Sequence, residues 1–196
     1  MRTLPQTRCS PVSRSRVMAT AAAGLSLLWL TGATTPPEPA GFVEPVAASP
    51  QRDSKDPFAI ARVLAHTNPQ LAESELARIA RAVLRYSAKY DLDPELVTAV
   101  ILVESSALPS ARSPKGAMGL MQVMPAMLEP LRLVGNFTTV ESNIEAGCLI
   151  LSDNIRRMGE ADGILAYFWG PNIRGVAYLE RVRAAQAEIR RQLRSS

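Results

Sequence analysis

The stretch ESSALPSARSPKGAMGLMQVMP, from Glu104 to Pro125, decides the predicted fold. A helix is predicted just before it, because Asp93 is a suitable N-cap and Pro94 suits the first helical position. On a 3.6-residue period, Glu104 shares a face with the apolar residues Val97, Val100 and Ile101. A carboxyl group there loses solvation when ionised, so its pKa should rise and it can donate a proton near neutral pH. The alternative, from this helix alone, is an acid at a fraying helix end that reaches into water.

The segment after Glu104 is a predicted loop. Turn residues interrupt it before an apolar pattern resumes at Leu120, and these are Pro109, Pro114, Gly116 and Gly119. A Gly-rich turn that brings the backbone close to a buried acid is how a cleft wall is made. The two segments together predict an acid at the edge of a cleft.

This run resembles the motif of lytic transglycosylases with the goose-type lysozyme-like fold. The family motif reads Glu-Ser, then Ala-x-Ser, then Gly-Ala-x-Gly-Leu-Met-Gln-x-x-Pro. The matching positions are Glu104-Ser105, Ala111-Arg112-Ser113 and Gly116 to Pro125. The resemblance implies a mainly α, single lysozyme-like (goose-type) helical domain with a catalytic cleft.

Two downstream segments extend the resemblance to about residues 76–182. The run from Asn143 to Gly147 resembles the Asn-x-x-x-Gly start of a long packing helix in the family. The run from Ala166 to Gly170 resembles an Ala-Tyr-Asn-x-Gly motif that faces the catalytic acid. The chain departs from this motif at Phe168, where the family usually has Asn. That departure removes an amide and puts in doubt any polar sugar contact at this position.

The remaining pattern predicts about seven helices packed around the Glu104 helix, and no segment alternates with period two for long enough to be a strand. A helical pattern starts at Asn68-Pro69, and another helix runs from Met124 to Leu133 with a kink at Pro130. The next helix is capped by Ser142 or Asn143 and is ended by the residues from Gly159 to Gly163. Helix resumes over 164–168 and 178–193. Met118, Met121 and Met127 are expected in the core.

The N-terminal residues predict export. Residues 1–33 carry four arginines, then a short apolar run, then small residues, which is the order of a secretory signal peptide. A retained membrane anchor is the alternative. Residues 34–57 contain six prolines and form a predicted Pro-rich linker, and residues 58–196 form the predicted catalytic domain. The protein is therefore expected to be periplasmic or cell-wall associated in a bacterium.

Charge gives no sign of a nucleic-acid partner. The formal charge of +4 corresponds to the four arginines of the predicted signal, which leaves 18 basic and 18 acidic residues. A near-neutral mature chain does not suggest binding to a polyanion. Only the last helix is locally basic, and its charges are expected on a solvated face.

Several chemistries are excluded by residue content. After removal of the predicted signal the chain has one histidine, His66, and one cysteine, Cys148. A Ser–His–Asp triad would need His66, which has no motif near it and is expected at the surface. Zinc needs several His or Cys ligands, so no metal and no other cofactor is predicted. Cys148 lies on an apolar stripe and is expected to be a small buried residue.

Acid–base chemistry by a carboxyl group remains. Most glycosidases use two carboxylates, but the next acid along the chain after Glu104 is Glu129. The resemblance implies that Glu104 protonates the glycosidic oxygen between N-acetylmuramic acid and N-acetylglucosamine in peptidoglycan. The same group then removes the proton from the 6-hydroxyl, which closes onto C1 to give a 1,6-anhydro sugar without consuming water.

The resemblance also assigns supporting roles. Ser113 would bond Glu104 or the acetamido group, Gln122 would hold the sugar ring, and Met124 and Tyr167 would line the cleft. For each, the alternative is ordinary packing or capping. Ser105 is expected to cap the helix end or its loop.

Three functions remain open at this point: a lytic transglycosylase, a hydrolase of the same fold that uses water, and a non-enzymatic wall-binding module. The partner in each case is the peptidoglycan glycan strand, and the protein is expected to be a monomer. A compact domain with a proline tether also resembles transglycosylases that open the wall for secretion or conjugation machines.

Overall fold

The computed structural model describes residues 55–127 and 137–195. The predicted signal peptide, most of the predicted linker, Glu129 and the kink at Pro130 lie outside these residues. The described part contains six α-helices, and a short 3-10 turn, Pro125–Met127, follows the loop after α3. The α-helices are α1 (Pro57–Thr67), α2 (Glu73–Lys89), α3 (Pro94–Ser105), α4 (Val140–Met158), α5 (Glu160–Trp169) and α6 (Ala177–Arg194).

The fold class is mainly α, as predicted. Within residues 55–127 and 137–195 the β pairing is limited to isolated bridges in the loop after α3, where Met118 pairs with Arg112 and with Val123. In the same ranges, no helix is long and apolar enough to cross a membrane.

Helix α3 is the central helix of one half of the domain. Six consecutive residues, from Leu96 to Ile101, are buried, so this helix is enclosed on nearly all sides. It packs against α6, α2 and α1, whereas α4 packs mainly against α5 and α2. The prediction that all helices surround the Glu104 helix is therefore only partly correct, because α4 and α5 form a second layer.

Two helices begin with the same pair of residues. The Asp93 side chain accepts the amide of Glu95 at 2.9 Å and Pro94 follows it, as predicted for α3. Asp56 accepts the amide of Phe58 at 3.0 Å, and Pro57 is the first residue of α1. Helix α1 was not predicted, although its Asp-Pro start is the same signal.

Several predicted boundaries are wrong by a few residues. Helix α2 begins at Glu73, not at Asn68-Pro69. The N-cap of α4 is Thr139, whose hydroxyl accepts the amide of Ser142, because Ser142 itself already lies in the first turn. Gly159 alone separates α4 from α5, so α5 starts at Glu160 rather than Ile164.

The three methionines predicted in the core have different surroundings. Met121 is fully buried, as predicted. Met118, in the loop after α3, is only half-buried. Met127 is 41% exposed, so its prediction is wrong, and the short 3-10 turn leaves it at the surface.

Candidate active site

A cleft of about 700 Å³ opens beside the end of α3. Its described lining comes from the end of α3, the loop that follows, the end of α5 and the segment leading to α6. The lining residues are Glu104, Ser113, Lys115, Ala117, Gln122, Met124, Tyr167, Phe168, Trp169, Asn172 and Arg174. The structure therefore brings together all five residues that the sequence assigned to the site.

Glu104 lies in the last turn of α3, half-buried at the edge of the cleft. Val97, Val100 and Ile101, with which it shares a helix face, are fully buried. Burial raises the pKa of the Glu104 carboxyl, and this effect is opposed by a hydrogen bond from Tyr178 and by the charge of Arg181. The side chain is thus partly desolvated but reachable from the cleft, which is the combination that a proton donor needs.

Tyr178 is the hydrogen-bond partner of Glu104 that sequence reasoning missed. It is the second residue of α6, it is 2% exposed, and its hydroxyl donates to Glu104 Oε1 at 2.6 Å. Burial raises the pKa of Tyr178 far above its ordinary value, so the phenol stays protonated and remains a donor. The only sequence signal was a tyrosine at the start of a helix, which names no partner.

The loop after α3 is fixed to α4 by Asn143. The Asn143 side chain accepts the amide of Met121 at 2.9 Å and donates to the carbonyls of Met118 at 2.8 Å and Phe137 at 3.2 Å. A Cβ at Gly119, where φ is +77°, would overlap the Asn143 amide. Asn143 therefore needs a glycine opposite it, and the two positions hold the loop in place.

Gly147, one turn further along α4, makes room for Met121. A Cβ at Gly147 would overlap the Met121 side chain. The spacing from Asn143 to Gly147 thus has a physical explanation, because the asparagine binds the loop backbone and the glycine receives the next loop side chain.

The polar groups of the loop are mainly bonded to the loop itself. The Ser113 hydroxyl accepts the amide of Ala117 at 3.0 Å, and no hydrogen bond joins it to Glu104 within the part of the chain that the structure describes. Gln122 Nε2 donates to the carbonyls of Ala111 at 3.2 Å and Gly119 at 3.0 Å. These two bonds leave Oε1 of Gln122 as the acceptor that a sugar could use, and the Gln122 backbone is in the left-handed region, with a φ of +47°.

The other loop-contacting residues also have internal partners. The Tyr167 hydroxyl donates to the Met121 carbonyl at 2.7 Å, so this ring fixes the floor of the cleft as well as lining it. Ser105 Oγ lies 3.1 Å from the Ile101 carbonyl and 2.8 Å from the Leu120 carbonyl, so it joins the helix end to the loop, as predicted. Met124 lines the cleft and is 37% exposed.

The side of the cleft formed by the end of α5 and the segment leading to α6 is aromatic. Phe168 is stacked on Tyr178, with ring centroids 4.7 Å apart and an interplanar angle of 15°. Trp169 meets Phe168 edge-on at 5.0 Å. Lys115 and Arg174 line the same cleft, and neither forms a salt bridge with another described residue.

Groups outside the cleft have the surroundings predicted from the sequence. His66 is exposed on α1, and Cys148 is fully buried on α4. Burial strongly raises the pKa of the Cys148 thiol, which makes it inert. No group of three or more His, Cys, Asp or Glu residues in the described ranges could hold a metal ion.

The chain is similar to a family of transglycosylase domains and to a phage protein. The family described as Transglycosylase SLT domain matches residues 81–187, which is more than half of the chain. A protein named "Transglycosylase" from Enterobacteria phage PRD1 is 42% identical over 87 residues. That match covers 44% of this chain and 32% of the phage protein, so the chain spans about a third of this relative.

Solved structures of two lytic transglycosylases are also similar. The 70 kDa soluble lytic transglycosylase of Escherichia coli has a TM-score of 0.47 and 20% identity, over 71% of this chain and 27% of that chain. An inactive mutant of the lytic transglycosylase Slt from Pseudomonas aeruginosa has a TM-score of 0.43 and 19% identity, over 73% and 29%.

Proposed function

Because the chain belongs to the transglycosylase SLT domain family, we propose that it is a lytic transglycosylase that cleaves peptidoglycan, with Glu104 as its acid and base. The observation that carries this proposal is the half-buried carboxyl group of Glu104, which lines the cleft and has a raised pKa. The family predicted from the sequence is confirmed by the family match. Its reaction and its substrate are proposed for this chain.

The first step is protonation of the leaving oxygen. A Glu104 carboxyl with a raised pKa holds its proton closer to neutral pH than an exposed glutamate does. It donates this proton to the glycosidic oxygen between N-acetylmuramic acid and N-acetylglucosamine. Positive charge develops at C1 of the muramic residue, and the oxygen of its own 2-acetamido group supports that charge.

The second step reverses the role of Glu104. The carboxylate formed in the first step removes the proton from the 6-hydroxyl, and the oxygen closes onto C1. Tyr178 donates to the carboxylate and Arg181 places a positive charge near it, and both effects stabilise the ionised form between the two steps. The bond to N-acetylglucosamine breaks, a 1,6-anhydro bond forms, and no water enters the balance.

The number of acids in the cleft supports this scheme over a two-carboxylate mechanism. Among the described residues that line it, Glu104 is the only acid. A retaining or inverting glycosidase would place a second carboxyl group about 5 to 9 Å away. A single carboxyl group fits a substrate that supplies its own nucleophile.

The cations of the cleft support an acidic glycan. Lys115 and Arg174 face the cleft without a salt bridge among the described residues, so an anionic substrate would gain their charge at little cost. Peptidoglycan carries carboxylates on its lactyl-linked peptides, whereas chitin does not. The proposed substrate class is therefore peptide-bearing glycan.

Ser113, Gln122, Met124 and Tyr167 are proposed as substrate-binding residues because all four line the cleft with Glu104. Export to the compartment that holds peptidoglycan is proposed from the signal-like residues 1–33. Fractionation of cells producing the full chain tests this location. Recovery in the cytosol alone would contradict it.

The decisive experiment is digestion of purified peptidoglycan by the full chain, with mass spectrometry of the released muropeptides. Anhydro ends support the transglycosylase, and reducing ends identify a hydrolase. Glu104→Gln should lower the rate at least about 100-fold, as expected for loss of a general acid. If the wild-type chain produces neither anhydro ends nor reducing ends, the proposal fails and a non-enzymatic wall-binding module is the remaining function.

A further inference from the structure

Two aromatic side chains are exposed in the cleft. Phe168 is 46% exposed and Trp169 is 37% exposed, and both are among the lining residues. Large aromatic side chains are usually buried because exposing them to water is unfavourable. When they line a concave site next to a few polar groups, they indicate a surface that binds a ligand.

The two rings are held in place. Phe168 is stacked on the buried Tyr178 ring, and Trp169 meets Phe168 at an interplanar angle of 85°. The Trp169 indole Nε1 also donates to the Gly175 carbonyl at 3.2 Å, which limits rotation of its ring. A rigid aromatic surface loses little conformational entropy when a ligand binds.

The two rings lie near the reacting group. Phe168 contacts Tyr178, and the Tyr178 hydroxyl donates to Glu104 Oε1. A sugar that contacts Phe168 therefore sits close to the carboxyl group that would protonate the glycosidic bond. The amide of the motif that this segment resembles is absent here, and an aromatic ring stands in its place.

We propose that the Phe168 ring, with Trp169 edge-on beside it, forms an aromatic platform that binds the apolar face of an N-acetylhexosamine ring beside Glu104. A pyranose ring presents several C–H groups on one face, and these are attracted to the negative face of an aromatic ring. An amide recognises one polar substituent, whereas an aromatic ring recognises the whole sugar face. The platform deepens the proposed function, on which it rests, and makes Phe168 a specificity-determining residue.

Sugar binding can be measured apart from cleavage. In the full chain, Glu104→Gln removes the proposed acid and should slow cleavage enough for an equilibrium titration, and Trp29→Phe leaves Trp169 as its only tryptophan. Titration with the β-1,4-linked tetramer of N-acetylglucosamine should change the Trp169 fluorescence in a saturable way. Phe168→Ala in this background should raise Kd about tenfold, and Phe168→Tyr should keep Kd within about twofold because it retains the ring.

Two further variants separate the platform from general packing. Phe168→Leu retains an apolar side chain without a ring, and it should also raise Kd several-fold. Phe58→Ala removes a phenylalanine that is 77% exposed on α1, outside the cleft lining, and it should leave Kd unchanged. Circular dichroism of each variant verifies that the helices are retained.

The outcomes distinguish this proposal from the proposed function. If Phe168→Ala has the same Kd for the tetramer as the parent chain that retains Phe168, the platform is overturned, even if the wild-type chain produces anhydro ends. The platform would also be overturned if Phe168→Ala, in a chain that retains Glu104, lowers kcat without changing KM, and if Kd is unchanged too. Phe168 would then be a positioning residue for Tyr178. If no peptidoglycan is cleaved but Phe168→Ala still weakens tetramer binding, the platform stands and the lytic activity does not.

Discussion

The two sides of the cleft are built in different ways. The loop wall, residues 105–124, is held by hydrogen bonds of its own backbone, of Ser113, Gln122 and Ser105, and of Asn143 from α4. The helix wall, residues 167–181, holds its shape by stacked rings, and it supplies the hydroxyl group that contacts Glu104. The loop wall mainly provides shape, whereas the helix wall provides the exposed aromatic surface and sets the electrostatics of the acid.

This difference teaches which changes each wall tolerates. A hydrogen-bonded loop has buried polar groups that become unsatisfied when one partner is removed, so its variants should lose stability together with activity. A stacked wall loses contact area and a donor but leaves few buried polar groups unpaired. Its variants should therefore change the kinetics and the pH profile before they change the fold.

The largest expected effect is that of Asn143→Ala, in the residue that fixes the loop wall. It leaves the Met121 amide and the carbonyls of Met118 and Phe137 without their partner. We expect the free energy of unfolding to fall by about 3 kcal/mol, since each buried unsatisfied group costs about 1 to 3 kcal/mol. Urea denaturation measures this change.

Activity should fall with stability in this variant. A small displacement of the loop can lower kcat about 100-fold even where the protein remains folded. The matched control is Asn172→Ala, an exposed asparagine that lines the cleft, which should alter stability by less than about 0.5 kcal/mol. Equal stability losses at the two positions would remove the distinction between the walls.

The loop wall is also the part that the sequence predicted best. Its turn residues and the acid before it are local signals within one stretch, so they can be read without knowing what packs against them. The reason for Asn143 and Gly147 was not accessible in this way, because both act on a loop more than 20 residues earlier. The sequence showed Asn143 and Gly147 only as part of a motif, and the structure shows what each of them contacts.

The helix wall was predicted less completely. Tyr178 and Glu104 are 74 residues apart in the sequence, and no pattern along one helix pairs a tyrosine with a distant acid. Phe168 was recognised as a departure, but its stacking on Tyr178 depends on how α5 and α6 meet. Helix α1, by contrast, was missed although Asp56-Pro57 repeats the local signal of Asp93-Pro94.

Tyr178→Phe should have the second largest effect, because it removes the hydroxyl but keeps the ring that stacks on Phe168. A hydrogen bond to a charged group contributes about 1.5 kcal/mol or more, so we expect kcat to fall about tenfold. The fold should be retained, since the ring still fills its place in the core.

The pH profile gives this prediction a specific sign. The Tyr178 hydrogen bond favours the ionised carboxylate and lowers the pKa of Glu104 against the effect of burial. Loss of this hydrogen bond raises the pKa of Glu104 further, so the acid stays protonated to higher pH. The alkaline limb of the pH–rate profile therefore shifts to higher pH. Tyr90→Phe is the control, because Tyr90 contacts Glu145 instead. An unmoved limb in Tyr178→Phe would show that the hydroxyl does not act on the acid.

Arg181→Gln should have the smallest effect on the helix wall. Its guanidinium group is exposed, lies 5.7 Å from the Phe168 ring centroid and lowers the pKa of Glu104 through charge alone. We expect kcat to change less than about threefold, as for an exposed cation–π contact. The alkaline limb should shift to higher pH, but by less than in Tyr178→Phe. The charge of Arg181 lowers the pKa of Glu104 less than the hydrogen bond from Tyr178 does.

Salt separates these two effects. Interactions between exposed charges are screened over about 3 Å at 1 M salt, whereas a buried hydrogen bond is screened much less. The difference between the pH–rate profiles of the wild type and Arg181→Gln should therefore shrink at high salt. The difference between the wild type and Tyr178→Phe should persist. Arg183→Gln, which removes a cation of α6 that pairs with Glu160 at 2.9 Å, should leave the profile unchanged. A shift of equal size in both arginine variants would mean that the acid senses the general charge of α6 rather than the arginine beside its own wall.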